Sequence, residues 1–232
     1  MSKECLVCDS KIEYLSKDES MECMICHKVE NSKTRCENGH YICNDCHMKG
    51  INAIFDICKK EKSTNPLEII DRLMSQPFCH MHGPEHHILV GSALLTAYKN
   101  AGGNINLNEA LIEMANRAKK VPGGVCGFWG ACGAGISSGM FISIISKSTP
   151  LSEEPFKLSN LMTSKSLNMI ANNGGPRCCK RDSFLSILAA IDFVEENFGI
   201  KLEKSEITCK YSSENEQCIK DKCPFYPKSL EK

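Results

Sequence analysis

Eight soft metal ligands open this chain at regular spacing: Cys5-x2-Cys8, Cys23-x2-Cys26, then Cys36-x3-His40-x2-Cys43-x2-Cys46. A C-x2-C turn aims two sulfurs at one ion while its backbone amides support the thiolates. Four such pairs are enough for two tetrahedral zinc ions. They combine in two ways. Sequential pairing builds one site from Cys5, Cys8, Cys23 and Cys26 and the other from Cys36, His40, Cys43 and Cys46. Interleaved pairing joins Cys5 and Cys8 to Cys36 and His40, and Cys23 and Cys26 to Cys43 and Cys46.

The cysteines from Cys79 to Cys223 follow another grammar and sit at junctions between apolar segments. In "CHMHGPEHH", Cys79, His80, His82, Glu85, His86 and His87 crowd a helix entrance. His80-x-His82-x3-His86 is a metal-ligand spacing, although Pro84 breaks any single helical face. The plainer reading is a Glu85 favoured by the helix dipole beside hydrogen-bonded imidazoles. In "VPGGVCGFWGACGAGISSGMF", glycines including Gly124 and Gly127 let the backbone approach an anion or cluster. Cys126 and Cys132 lie among them, and the field of the following helix is expected to favour a Cys132 thiolate. Tight packing of small cysteines is the alternative there.

In "NGGPRCCKRDSFLSI", Cys178 and Cys179 adjoin Arg177, Lys180 and Arg181. Positive neighbours lower a thiol pKa, and vicinal thiols bind metals or split nucleophile and resolving roles. Arg177 is equally suited to an anionic substrate. Last comes Cys209-x8-Cys218-x4-Cys223, a knuckle for zinc or an iron–sulfur cluster that lacks a local fourth ligand, which Cys178 or Cys179 could supply.

The stretch "CMICHKVENSKTRCENGHYICNDC" resembles the first six ligands of a RING-type cross-brace over about 25 residues. That resemblance implies the interleaved pairing. No C-x2-C follows Cys46, so Cys5 and Cys8 would supply the missing pair. His27 and His47 are left over and are expected on the solvated surface. "CHMHGPEHH", "GGVCGFWGACGAG", "GGPRCCKR" and the terminal cysteines together resemble an uncharacterised cysteine-rich family of anaerobes. Some of its members look like partners or fusions of radical-SAM or methyltransferase proteins. The resemblance covers most of residues 75–227. It implies a reducing habitat and a metal–sulfur context, and carries over no residue roles.

The elements that must hold these residues read as helices. Apolar positions at helical spacing (Ile51, Ile54, Phe55, Cys58) predict a helix running through "NDCHMKGINAIFDICKKEK". Asn65-Pro66 caps another to about Ser75; Pro84 opens one that Gly102-Gly103 ends. Further helices are predicted over "NLNEALIEMANRAKKV", Gly133 to Lys147, Ser159 to the Gly174-Gly175-Pro176 stop, and Asp182 to Asn197. No run alternates with period two, although Lys201 to Thr208 could form a short strand. The expected class is mainly α, an all-α domain over 63–232 with a two-zinc cross-brace or zinc-ribbon-like lobe over 1–62.

Lys+Arg and Asp+Glu both number 28 in 232 residues, which removes the footprint of a general nucleic-acid binder. One Trp leaves no base-stacking platform. "MSKECLVCDS" has no signal-peptide core. The longest apolar run, near Gly139 to Ile145, is far short of the roughly 20 residues of a membrane helix. A cytoplasmic protein is expected, whose cysteines serve metal or redox chemistry rather than disulfides.

The leading expectation is a metal-dependent thiol or redox enzyme for a small sulfur-containing, electrophilic or organometallic substrate. Cys126, Cys132, Cys178 and Cys179 would converge on the substrate or on an iron–sulfur cluster. His86, with Glu85 or His82, would move protons or complete a metal shell. The alternatives are a zinc adaptor that recruits a protein partner, or a soft-metal trafficking protein.

Overall fold

A computed structural model describes residue 5, residues 7–8, 10–47 and 50–227. The chain is mainly α, and among the described residues its strand content is confined to the amino-terminal lobe. There β1 (Ile12–Glu22) and β2 (Val29–Cys36) pair antiparallel, from Ile12↔Cys36 to Glu22↔Val29, with an irregularity between Tyr14 and Glu19. This hairpin was not expected from the sequence. Only Met21 and Cys36 of its side chains are fully buried, so no apolar alternation marks it. A two-stranded hairpin is marginal alone. Here the ligand cysteines stand where a core would be: Cys23 and Cys43 pack with Met21 and Tyr41 in a small cluster of their own.

The helix predicted through "NDCHMKGIN" is two helices, α1 (Asn44–His47) and α2 (Ile51–Lys60); Met48 and Lys49 lie outside the described residues. Ile54 and Cys58 of α2 join the large core of the helical body. α3 (Pro66–Met74) starts where Asn65 Oδ1 accepts the Leu67 amide at 3.0 Å, with Pro66 in the first turn.

α4 (His86–Asn100) is the central helix, buried from His86 to Tyr98. It packs against α2, α3, α5 (Leu107–Ala118), α7 (Gly133–Ile145) and α9 (Cys179–Phe198). A helix apolar on all sides must be enclosed by others, and the short α6 (Val125–Phe128) leads into that enclosure. α8 (Glu154–Asn173) lies closest to α7: a methyl at Gly139 would fall 1.8 Å from Thr163 Oγ1.

Two helix starts differ from expectation by three residues or more. α8 begins at Glu154 rather than Ser159, because Pro155 occupies its first turn and Ser159 instead bonds back to the Pro155 carbonyl at 2.7 Å. α9 begins at Cys179, three residues before Asp182, with Cys178 as its cap. Residues 201–208 form no strand; they run over the body with Leu202 buried, and Phe225 docks edge-on to Phe184 at 5.4 Å. Among the described residues no helix is long and apolar enough to cross a membrane.

Phe141 is fully buried in α7, edge-on to Tyr98 at 5.9 Å. Phe141→Ala is expected to destabilise the helical body by about 3–5 kcal/mol, as a lower urea midpoint with an unchanged slope.

Candidate metal centres and thiol cavity

Two donor tetrads stand in the lobe, Cys5/Cys8/Cys36/His40 and Cys23/Cys26/Cys43/Cys46, each with all ligand atoms within 4.8 Å of one another. This is the interleaved arrangement. In the first, Cys8 Sγ lies 3.9 Å from Cys36 Sγ and 3.2 Å from His40 Nδ1. In the second, Cys26 Sγ and Cys43 Sγ are 3.6 Å apart. Zinc–sulfur bonds of about 2.3 Å in a tetrahedron place sulfurs about 3.8 Å apart, so both tetrads can hold a metal ion such as zinc.

The hairpin explains the interleaving: its turn carries Cys23 and Cys26, and its far end brings Cys36 beside Cys5 and Cys8. Backbone amides support the sulfurs, Val7 N–H to Cys5 at 3.4 Å, His40 N–H to Cys36 at 3.3 Å and Cys43 N–H to Cys23 at 3.3 Å. Hydrogen bonds from Ser10 and Asn38 hold Cys8 at about 5, while burial pushes Cys46 up to about 12. A metal must displace the proton from such a thiol, which makes loading pH-dependent.

The "CHMHGPEHH" junction divides its side chains. Glu85 is buried, and its Oε1 accepts the His80 amide at 2.9 Å and faces His80 Nδ1 at 3.2 Å. Burial alone would raise its pKa; the bond to His80 and the nearby imidazoles outweigh that and hold it at about 2. Two compact donor groups share this carboxylate, Cys79/Glu85/His86 and His47/His80/Glu85.

His47 is therefore not the solvated residue expected. It is drawn into the contact between lobe and body, and burial lowers its pKa. Nor do His80 and His82 act together. His82 Nε2 faces Asn215 Oδ1 at 3.3 Å, on the other side of the loop. Cys79 meets the buried Lys180 ammonium at 3.1 Å and His86 Nε2 at 3.6 Å. Burial, then Lys180, depress His86 to about 3, so its imidazole is neutral.

A cavity of ≈560 Å³ opens between lobe and helical body. Cys126, Cys132 and Cys179 line it, with Arg177, Asp182 and Gly124; Gly127 is not on its wall. The Cys132 thiol faces Asp182 Oδ2 at 3.8 Å, and the Arg177 guanidinium lies 5.2 Å from the centre of the Tyr14 ring. The expected thiolates are not there. Burial pushes Cys132 up to about 12 and Cys179 well above the ordinary thiol range. Desolvation outweighs the helix start and the neighbouring cations.

Cys178 and Cys179 do not face one site. Cys178 is the extended cap of α9 and Cys179 its first helical residue, so their side chains diverge. Cys178 lines a second, small cavity of ≈20 Å³ with Cys209, Cys218 and Cys223, closed by Phe184 and Phe225. Here too backbone amides reach sulfur: Arg181 to Cys178 at 3.5 Å, Tyr211 to Cys209 at 3.4 Å and Lys220 to Cys218 at 3.4 Å. Asn215 Nδ2 adds a bond to Cys178 at 3.5 Å. Among the described residues this set is not one of the compact donor groups that close within 4.8 Å, so its sulfurs are spread more widely than those of the two tetrads.

The fold and sites define a mainly α, cysteine-rich protein whose Cys/His clusters can hold metal ions. The profile of the family of unknown function DUF5714 matches residues 54–226, so the chain belongs to that family. No curated protein matches the chain, and no solved structure does.

Interleaving has a direct test. Cys8→Ser and Cys36→Ser should each remove one zinc equivalent, and the double variant no more than one. Cys8→Ser with Cys23→Ser should remove two. Elemental analysis of desalted protein reads the difference, and sequential pairing would reverse the two double variants.

Proposed function

We propose that this chain is a metal-dependent thiol or redox enzyme acting on a small sulfur-containing, electrophilic or organometallic substrate in the cavity between lobe and body. The observation that carries this reading is the convergence of Cys126, Cys132 and Cys179 on one ≈560 Å³ space beside Asp182 and Arg177. Cavities of 300–1,000 Å³ are the size that encloses small molecules. The raised thiol pKa values support partners that are cations. A soft electrophilic centre would take up the thiolates as their protons leave, and Asp182 is placed to accept the proton of Cys132.

Arg177 and the backbone at Gly124 would hold an anionic part of the substrate. His86 and Glu85, near the same cavity, would order its polar wall. Gly127 lies off the wall and has no role in this reading.

Cys178, Cys209, Cys218 and Cys223 line one small cavity and would hold a metal–sulfur group, an iron–sulfur cluster on this reading. Such a cluster fits the reducing habitat and the radical-SAM or methyltransferase partners that the sequence resemblance implies. A second reading, a zinc adaptor that recruits a protein, has one observation in its favour. Met24, Ile25 and Val29 are exposed at the tip of the hairpin, Val29 at 61%.

Anaerobically purified protein should carry iron with acid-labile sulfide and absorb in the visible, and Cys178→Ala should abolish that absorbance with helicity intact. Cys132→Ala and Cys179→Ala should keep the chromophore and lose uptake of cadmium, a soft probe read by its thiolate charge-transfer band. Zinc alone, no chromophore and unaltered cadmium uptake in those variants would overturn the enzyme reading and leave the adaptor.

A further inference from the structure

Glu85 is buried, only 2% exposed. Its Oε1 is occupied by the His80 amide and faces the His80 ring. Its Oε2 is buried with no hydrogen-bond partner, and so is Nδ1 of His47, which arrives from the cysteine lobe. An unpartnered buried polar atom costs about 1–3 kcal/mol, more when charged. Two of them in one donor group, whose ligand atoms all lie within 4.8 Å, mark a missing cation.

We propose that His47, His80 and Glu85 form a third metal site, for one divalent first-row transition ion, that clamps the cysteine lobe to the helical body. Two imidazoles and one carboxylate are a donor set for zinc or ferrous iron, and three protein ligands leave a coordination position open. His80 Nδ1 lies 3.2 Å from Glu85 Oε1, so the imidazole and the carboxylate whose Oε2 is free stand within reach of one ion. His47 also lines the large cavity, so the open position has a route to it.

Cys79 is excluded from this shell because its sulfur already meets the Lys180 ammonium at 3.1 Å. His86 is excluded because its Nδ1 bonds the Gly83 carbonyl at 3.1 Å and its Nε2 faces Cys79. Gly83 is part of the site. A methyl there would fall 2.1 Å from Glu85 Oε2, so a bare glycine is what lets the carboxylate reach its position.

The site does not depend on the thiol chemistry proposed above, and its test reads metal content rather than turnover. The desalted full chain is assayed for zinc and iron, then reloaded with Co2+ and followed by absorbance. His47→Ala and Glu85→Gln should each lose one metal equivalent while both tetrads stay loaded and far-UV circular dichroism is unchanged. Gly83→Ala should lose the same ion though it removes no donor, and Cys79→Ala should keep it. The cobalt bands lost should lack thiolate charge transfer. The element lost tells zinc from iron. Equal metal content in wild type, His47→Ala and Glu85→Gln would overturn the proposal, as would thiolate charge transfer in the bands lost.

Discussion

The first turn of α9 buries three consecutive ionisable side chains, Lys180, Arg181 and Asp182, exposed by 1%, 3% and 3%. Such groups survive in a core only when each has a partner, because removing one member of a buried pair costs about 3–5 kcal/mol. Arg181 binds Asp182 at 3.0 Å and reaches back to the carbonyls of Gly174 at 2.8 Å and Pro176 at 3.0 Å. Asp182 accepts from Cys132, and Lys180 reaches Cys79 while lying over the Tyr211 ring at 4.6 Å. One helical turn therefore ties together the Gly-Gly-Pro turn, the glycine-rich cysteine loop, the histidine junction and the carboxyl-terminal segment. Those four segments carry the histidines and most of the cysteines of the helical body.

The same turn sorts the cysteines. A cap residue and the first helical residue differ in backbone conformation, so the side chains of Cys178 and Cys179 leave on different sides. Two thiol environments result, one a roomy cavity shared with the lobe and one a small aromatic-walled knuckle. Adjacency in the chain reads as a vicinal pair; the geometry makes it a partition.

What was legible in the sequence depended on how local its cause was. Asn65 announces a helix start because a cap is a contact over two or three residues. The ligand ladder was legible because C-x2-C turns are local too, and the RING resemblance supplied the pairing. The hairpin was hidden because its register is set by Cys23 and Cys36 at its ends instead of by an apolar face. His47 was hidden because its partners, His80 and Glu85, lie more than 30 residues away. The thiol acidities were misjudged for a related reason. Neighbouring charges can be read along the chain, whereas desolvation is a property of the packed molecule.

That reversal bears on what the buried thiols can do. A free nucleophile at neutral pH needs a depressed pKa, and Cys132, Cys178 and Cys179 are all pushed the other way. In a low-dielectric site the proton on sulfur is replaced most readily by another cation, which restores charge balance where water cannot. Amides already aimed at Cys178, Cys209 and Cys218 stabilise negative sulfur without adding net charge, as they do in the two amino-terminal tetrads. On the reading proposed above, burial, high thiol pKa and preset N–H donors together would suit sulfur to be bound by metal. Chemistry in the larger cavity would then begin with a cation meeting Cys126, Cys132 and Cys179 and displacing their protons, in place of attack by a free thiolate.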